Sequence, residues 1–248
     1  MPPSFSPEEL ERYDRQLRID GFGLEAQGKL KEACVAVVGL GALGCLSALS
    51  LALAGVGELI LIDRDRVELS NLNRQVLYRQ ADVGKPKAPL AAERLRSANP
   101  YVRTRGLEVE LDEHNALELL EGADVVVDGL DNWRTRLAVN DACVELGIPF
   151  VHAGVRSFYG QIMTIVPGQG PCLRCVIRAT LPEEENIPVL GATPMALASL
   201  EALEAIKLIT GLGEPLVGRL FVFDGLRMRV EVLTVARNPR CPACGRLG

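Results

Sequence analysis

Apolar and polar positions along the chain follow two periods. "CVAVVG" (34–39), "GELILID" (57–63), "ADVVVDG" (123–129) and "IPFVHAGV" (148–155) are short, unbroken apolar runs rich in β-branched residues. That is the pattern of strands buried on both faces. Between them, "ALGCLSALSLALAG", "KAPLAAERLRSANP", "EHNALELLEG" and "NWRTRLAVNDACVELG" carry a helical period, the last with Gly147 at its C′ position. "VRTRGLEVEL" (102–111) predicts one more strand. The alternation predicts an α/β fold, a mostly parallel sheet wrapped by helices on both faces. Before it, residues 6–33 read as two helical pieces broken at Gly21–Gly23, with Ser6 as N-cap, Pro7 at the first helical position and Glu9 completing a capping box. After residue 155 the style changes. "YGQIMTIVPG" and "RLFVFDGLRMRVEVLTV" predict antiparallel strands, with the long helix "PMALASLEALEAIKLITG" between them. An acidic, Pro-containing loop, "LPEEENIPVLGATP", precedes that helix. A single domain is expected, in three portions: N-terminal helices (1–33), a nucleotide-type core (34–155) and an antiparallel extension (156–248).

Composition narrows the picture. With 248 residues, 48% of them apolar, one sizeable core can be buried. A net charge of −5 argues against a general nucleic-acid binder. Residues 33–57 carry no charge and invite a membrane-span reading, but Gly39, Gly41 and Gly44 divide them into strand, turn and helix. The polar start shows no export segment, so a cytoplasmic protein is expected, bound to neither membrane nor nucleic acid. Of seven cysteines, Cys34, Cys45 and Cys143 lie in apolar runs as small core residues. Cys172, Cys175, Cys241 and Cys244 form two C-x-x-C pairs. Four thiolates suit tetrahedral zinc with no open position, hence a structural four-cysteine site, with disulfides or free thiols as the alternatives. The 65 residues between the pairs exceed the spacing of a local ribbon.

The candidate chemistry begins at "GLGALG" (39–44), a G-x-G-x-x-G turn after a strand and before a helix. Its glycines let a phosphate approach backbone N–H groups at a helix N-terminus. Asp63 follows Gly44 by 19 residues, near the spacing at which an acid meets ribose hydroxyls. These two features alone suit an NAD-dependent oxidoreductase with a Rossmann domain. The next residues change that. Asn71, Arg74, Lys85 and Lys87 crowd donors beside one nucleotide, which fits a triphosphate better than a pyrophosphate met by the glycine turn. For Lys85 a solvated face is the alternative. "DGLDNWRTR" (128–136) follows a strand at the ligand edge of the sheet. Asp131 there suits Mg2+ on phosphates, or else the N-cap of the next helix. Asp128, inside the strand, reads as structural, and Trp133 as packing. Neither His114 nor His152 is placed as a general base. An attacking carboxylate needs none, because it is already ionised at neutral pH.

The motifs "RYDRQ", "VVGLGALG", "DRDRVELSNLNRQ", "GKPKA", "DGLDNWRTR", "PCLRC", "EALEAIKLITG" and "NPRCPACG" stand in one order along nearly the whole chain. In that order the chain resembles the MoeB/ThiF/HesA adenylyltransferases, relatives of ubiquitin-activating enzymes. Through "RNPRCPACG" it is most similar to the MoeB, or molybdopterin-synthase adenylyltransferase, branch. The resemblance implies ATP, Mg2+ and structural Zn2+. It implies a homodimer with shared sites and a small ubiquitin-like sulfur-carrier partner (MoaD/ThiS type) ending in Gly-Gly. The carrier's carboxylate would attack the α-phosphate of ATP, giving acyl-AMP and pyrophosphate ahead of a thiocarboxylate. The implied ATP pocket comprises Gly39, Gly41, Ala42, Gly44, Asp63, Asp65, Ser70, Asn71, Leu72, Asn73, Arg74, Lys87, Asp131 and Asn132. The implied catalytic set is Arg15, Asn71, Arg74, Lys87 and Asp131, with Asp131 on Mg2+ and Arg15 reaching the partner subunit's site. In one respect the chain departs from many members: residues 176–240 contain no cysteine for a covalent bond to the carrier. Nor does a rhodanese domain follow, so a separate sulfur donor is expected. A scaffold that binds a carrier without activating it is the non-enzymatic alternative.

Overall fold

The charge-free stretch 33–57 folds as the glycine spacing dictates. A computed structural model describes residues 3–177 and 187–246. It opens with α1 (Pro7–Leu17), whose Ser6 and Glu9 form the expected reciprocal capping box, and α2 (Gly23–Glu32). Next come β1 (Cys34–Val38), α3 (Ala42–Ala54) and β2 (Glu58–Ile62). α3 ends at Gly55, left-handed at φ 88°. α4 (Lys87–Ala98), β3 (Arg103–Leu107), α5 (Ala116–Leu120), β4 (Val125–Asp128), α6 (Trp133–Leu146) and β5 (Phe150–Arg156) continue the alternation. β6 (Tyr159–Ile165), the short α7 (Leu173–Val176), α8 (Ala192–Thr210), β7 (Arg219–Asp224) and β8 (Arg229–Thr234) complete the described α-helices and strands. Among the described residues no helix is long and apolar enough to cross a membrane.

All eight strands form one sheet, in the order β3-β2-β1-β4-β5-β6-β7-β8. The first five are parallel; β6, β7 and β8 add antiparallel neighbours. Period-2 alternation sends Val35, Val37, Leu59, Leu61, Val125 and Val127 to one face, against α3, α4 and α8. Ala36, Val38, Ile60, Ile62, Val126 and Phe150 go to the other, against α5, α6 and the four-cysteine cluster. Two covered faces explain why these strands read as unbroken apolar runs. α8 packs on β4, β5 and β6. β8, at the sheet edge, is exposed throughout.

Two expected elements are shorter. The strand predicted over 102–111 stops at Leu107, because β2 supplies a partner only from Glu58 to Ile62. The helix predicted from Glu113 starts at Ala116. Ahead of it Asn115 accepts from the Asp112 N–H and donates to the Glu110 carbonyl, closing a turn that competes with helix. His114 is exposed in that turn. The acidic loop 181–194 lies partly outside the described residues.

Candidate functional site

The strand order reverses between β1 and β4, the place where open α/β sheets bind ligands at their carboxyl edge. There the backbones after β1 and β4 touch. Gly39 has φ +85°, a conformation L side chains rarely adopt. A Cβ on Gly129 or Gly44 would stand 2.0 or 1.9 Å from the Gly39 carbonyl oxygen. Gly44 was legible as the third motif glycine; Gly129 was not. The α3 N-terminus begins at this turn with no side-chain cap on its N–H groups, and Ala42 is its first residue.

Asp63, at the end of β2, is buried and faces the turn. Its carboxylate accepts from the N–H of Leu40 (2.6 Å) and of Asp65 (2.7 Å). Burial raises its pKa, against the attraction of Lys87. Lys87 is itself buried, 3.0 Å from Asp65, and its N–H donates to the Asp65 carbonyl. One ordered cation thus stands beside two carboxylates. Lys85 instead pairs with Asp82 at 3.2 Å.

Beyond Asp65 the chain makes a tight turn, Leu69–Asn71. The Asn71 side chain accepts from the Glu68 N–H, and the Arg74 guanidinium donates to the Ser70 carbonyl (2.7 Å) and the Asn73 side chain (3.0 Å). Ser70 and Asn73 stay exposed, while Leu72 packs on the core. Gln75 follows, buried, with Nε2 3.8 Å from where a Cβ on Gly41 would lie. Its Oε1 has no partner. A buried polar atom left unpaired is unfavourable unless a ligand supplies the partner. On the far side, a Cβ on Gly191 would lie 2.7 Å from the Asn73 carbonyl, so the approach to α8 abuts this turn.

After β4, Asp128 is fully buried, as its place in the strand implies. Burial opposes its ionisation, yet Arg136 and His152 together hold its carboxyl below the ordinary value. Asn132, not Asp131, caps α6, accepting from the Thr135 N–H at 2.9 Å. Asp131 is therefore exposed and free of the capping role that was its structural alternative. Trp133 packs its ring 4.8 Å from the Arg136 guanidinium. Sequence reasoning missed Arg136 and Glu201. The signal available for Glu201 was one acid inside the apolar start of a long helix.

Arg15 lies elsewhere. Its neighbours Tyr13 and Gln16 touch Gly55 and Ala54, the far end of α3 from the glycine turn. Thirteen helical residues at a rise of ~1.5 Å put about 20 Å between those ends. A separate cleft of about 390 Å³ opens at the amino edge of the sheet, lined in part by Lys29, Glu32, Asp124 and Pro149. It is remote from the residues that converge at the carboxyl edge.

The four paired cysteines come together despite their spacing. Their sulfurs lie within 4.8 Å of one another, Cys172–Cys241 at 3.6 Å and Cys175–Cys244 at 3.4 Å. Ligands ~2.3 Å from a tetrahedral zinc stand about 3.8 Å apart. All four are buried, and the Asn238 N–H points at the Cys175 sulfur. The arrangement fits structural zinc. Asn140 and Asp141 of α6 bind Leu173 and Arg174 beside the cluster.

The ThiF family model matches residues 13–243. The chain is 45% identical over 251 residues to the sulfur carrier protein adenylyltransferase of Thermus thermophilus, covering 97% of this chain and 93% of that one. It is 43% identical over 253 residues to the SAMP-activating enzyme E1 of Haloferax volcanii, covering 100% and 93%. In fold it is similar to the crystal structure of E. coli MccB with ATP, with a TM-score of 0.83 and 28% identity over 94% of this chain and 74% of that one.

Proposed function

Because the chain belongs to the ThiF family, we propose that it is an adenylyltransferase acting on the C-terminal glycine carboxylate of a small ubiquitin-like sulfur-carrier protein of MoaD/ThiS type. The observation that carries this is the meeting at one sheet edge of the glycine turn, Asp63, the Asn71–Arg74 turn and an exposed Asp131, with the orphaned Oε1 of Gln75 beside the turn. The named relatives support the same chemistry.

Asp63 and Asp65 flank the ribose. The glycine turn, with Ala42 opening α3, offers N–H groups to the phosphates. Arg74, with Ser70, Asn71, Leu72 and Asn73, forms the wall along the triphosphate, and Lys87 is already fixed beside it. A carboxylate and a triphosphate repel each other, so these cations lower the barrier by screening and by orienting the two in line. The carrier carboxylate oxygen bonds to the α-phosphorus while the bond to the β-phosphate bridging oxygen breaks. Acyl-AMP forms and pyrophosphate leaves with the electron pair. Asp131 would hold Mg2+, which would supply charge neutralisation on the phosphates, and Asn132 next to it completes the pocket wall.

Arg15, about 20 Å from its own turn by the length of α3, serves the partner subunit's site in a homodimer. Burial raises the thiol of Cys34 to about 11 and that of Cys45 to about 12, and raises Cys143 as well. These thiols stay protonated at neutral pH, and residues 176–240 contain no cysteine that could bond to the carrier. A separate donor then delivers sulfur to the adenylate.

The test is ATP–pyrophosphate exchange dependent on a Gly-Gly carrier. Asp131→Ala is expected to lower kcat on the order of 100-fold or more, as removal of a transition-state electrostatic contact does. Unchanged exchange in that variant removes Asp131 from the mechanism. Tight NADH binding with no ATP binding would instead favour an oxidoreductase.

A further inference from the structure

We propose that Arg136 and His152, acting through the buried Asp128, are positioning residues that aim the Asp131 carboxylate; this rests on the functional reading above. The residue before Asp131 is held by both of its backbone groups. The Leu130 N–H donates to Asp128 Oδ1 at 3.0 Å, and its carbonyl accepts from Arg136 Nη2. The residue after it, Asn132, is held by its cap on α6. Asp131 is thus an exposed carboxylate suspended between two fixed neighbours.

The clamp is built inward from there. Asp128 Oδ2 accepts from Arg136 Nε and His152 Nδ1, both at 2.6 Å. Gln161 donates to His152 Nε2 at 3.1 Å, so the ring is neutral with its proton on Nδ1. Arg136 also reaches the Ala153 carbonyl, and Glu201 accepts from the Asp128 N–H. Trp133 lies over Arg136 and 6.0 Å from the His152 ring. Three strands and two helices therefore converge on one loop. A buried ion pair adds little net stability over apolar packing, so the role proposed for this one is the geometry it imposes. Here that geometry is the path of residues 129–132.

The experiment compares His152→Leu, which removes the Nδ1 donor, with His152→Asn, whose amide nitrogen can replace it. Amide hydrogen exchange at Leu130 is read without nucleotide. Manganese affinity of the enzyme–ATP complex is read by electron paramagnetic resonance, and carrier-dependent pyrophosphate exchange is read for kcat and KM separately. In His152→Leu, Leu130 exchange is expected to rise several-fold and manganese to bind more weakly. kcat should fall on the order of 10- to 100-fold, the effect of a group displaced by about 1 Å, with KM for ATP little changed. His152→Asn should recover most of each loss.

Wild-type exchange at Leu130 in His152→Leu, or an Asn variant as impaired as the Leu variant, overturns the clamp alone. A parent chain inert toward ATP and carrier overturns the functional reading, and the positioning role with it. If His152→Leu does not fold, Gln161→Leu removes only the contact to Nε2. It should give a smaller change of the same kind, and wild-type values there overturn the proposal.

Discussion

Glu201 is an acid with no access to water, and it shows how a single residue shapes the site. Its carboxyl group meets the Ser47 hydroxyl at 2.5 Å and the Asp128 N–H at 3.2 Å, tying α8 to α3 and to the end of β4. Burial raises its pKa well above 4.5. The folded state keeps this proton after the unfolded chain has released it. Stability from Glu201 is therefore full below pH 4.5 and is lost as pH rises toward the folded value, at about 1.4 kcal/mol per pH unit. Asp128, with its pKa lowered, acts in the opposite sense and loses its contribution in acid. Glu201→Gln keeps the shape and both contacts without the titration. Its stability relative to the parent is expected to increase between pH 5 and pH 8 in urea unfolding. A difference that stays constant with pH would show that Glu201 ionises normally in the fold. None of this was legible in the sequence, where Glu201 is one acid on a helix and its partners stand 73 and 154 positions away.

Most of the elements followed from pattern alone. The capping box at Ser6, the glycine turn, and the C′ glycines Gly55 and Gly147 act through neighbours in the chain, so local sequence specifies them. Element ends depended on partners instead. β3 stops where β2 stops, and the α6 cap fell to Asn132 and not to Asp131. Gly129 belongs to the same class, since its neighbourhood explains it only once β1 and β4 lie side by side. Gly129→Ala would drive a Cβ to 2.0 Å from the Gly39 oxygen, where backbone has to move. A loss of about 2–3 kcal/mol is expected in equilibrium unfolding, in the upper range for overpacking, together with weaker ATP binding. A variant as stable as its parent would mean that the two turns are not in contact.

Across the whole molecule the sheet and the cysteine cluster join distant parts of the chain. Cys172 and Cys175 follow β6, while Cys241 and Cys244 follow β8, and the cluster seats both against α6. One zinc per chain is expected by elemental analysis. Cys241→Ser is expected to lower the unfolding midpoint by roughly 5–10 °C, the shift for about 2–3 kcal/mol in a chain of this size. Metal-free protein with an unchanged midpoint would count against a structural ion.

The sequence by itself determined the layered α/β architecture, the glycine turn with the acid that follows β2, the cationic turn beyond it, and the family. Each is written in local spacing, in the periodicity of apolar positions, or in the order of short motifs. Only the tertiary structure decided that Gly39, Gly44 and Gly129 meet and that Lys87 is buried against Asp65. It also decided that Asn132 takes the cap and that Asp128, Arg136, His152 and Glu201 close one buried network. Those are contacts between segments far apart in the chain. Their strength comes from desolvation and short-range geometry, which no local pattern of residues encodes.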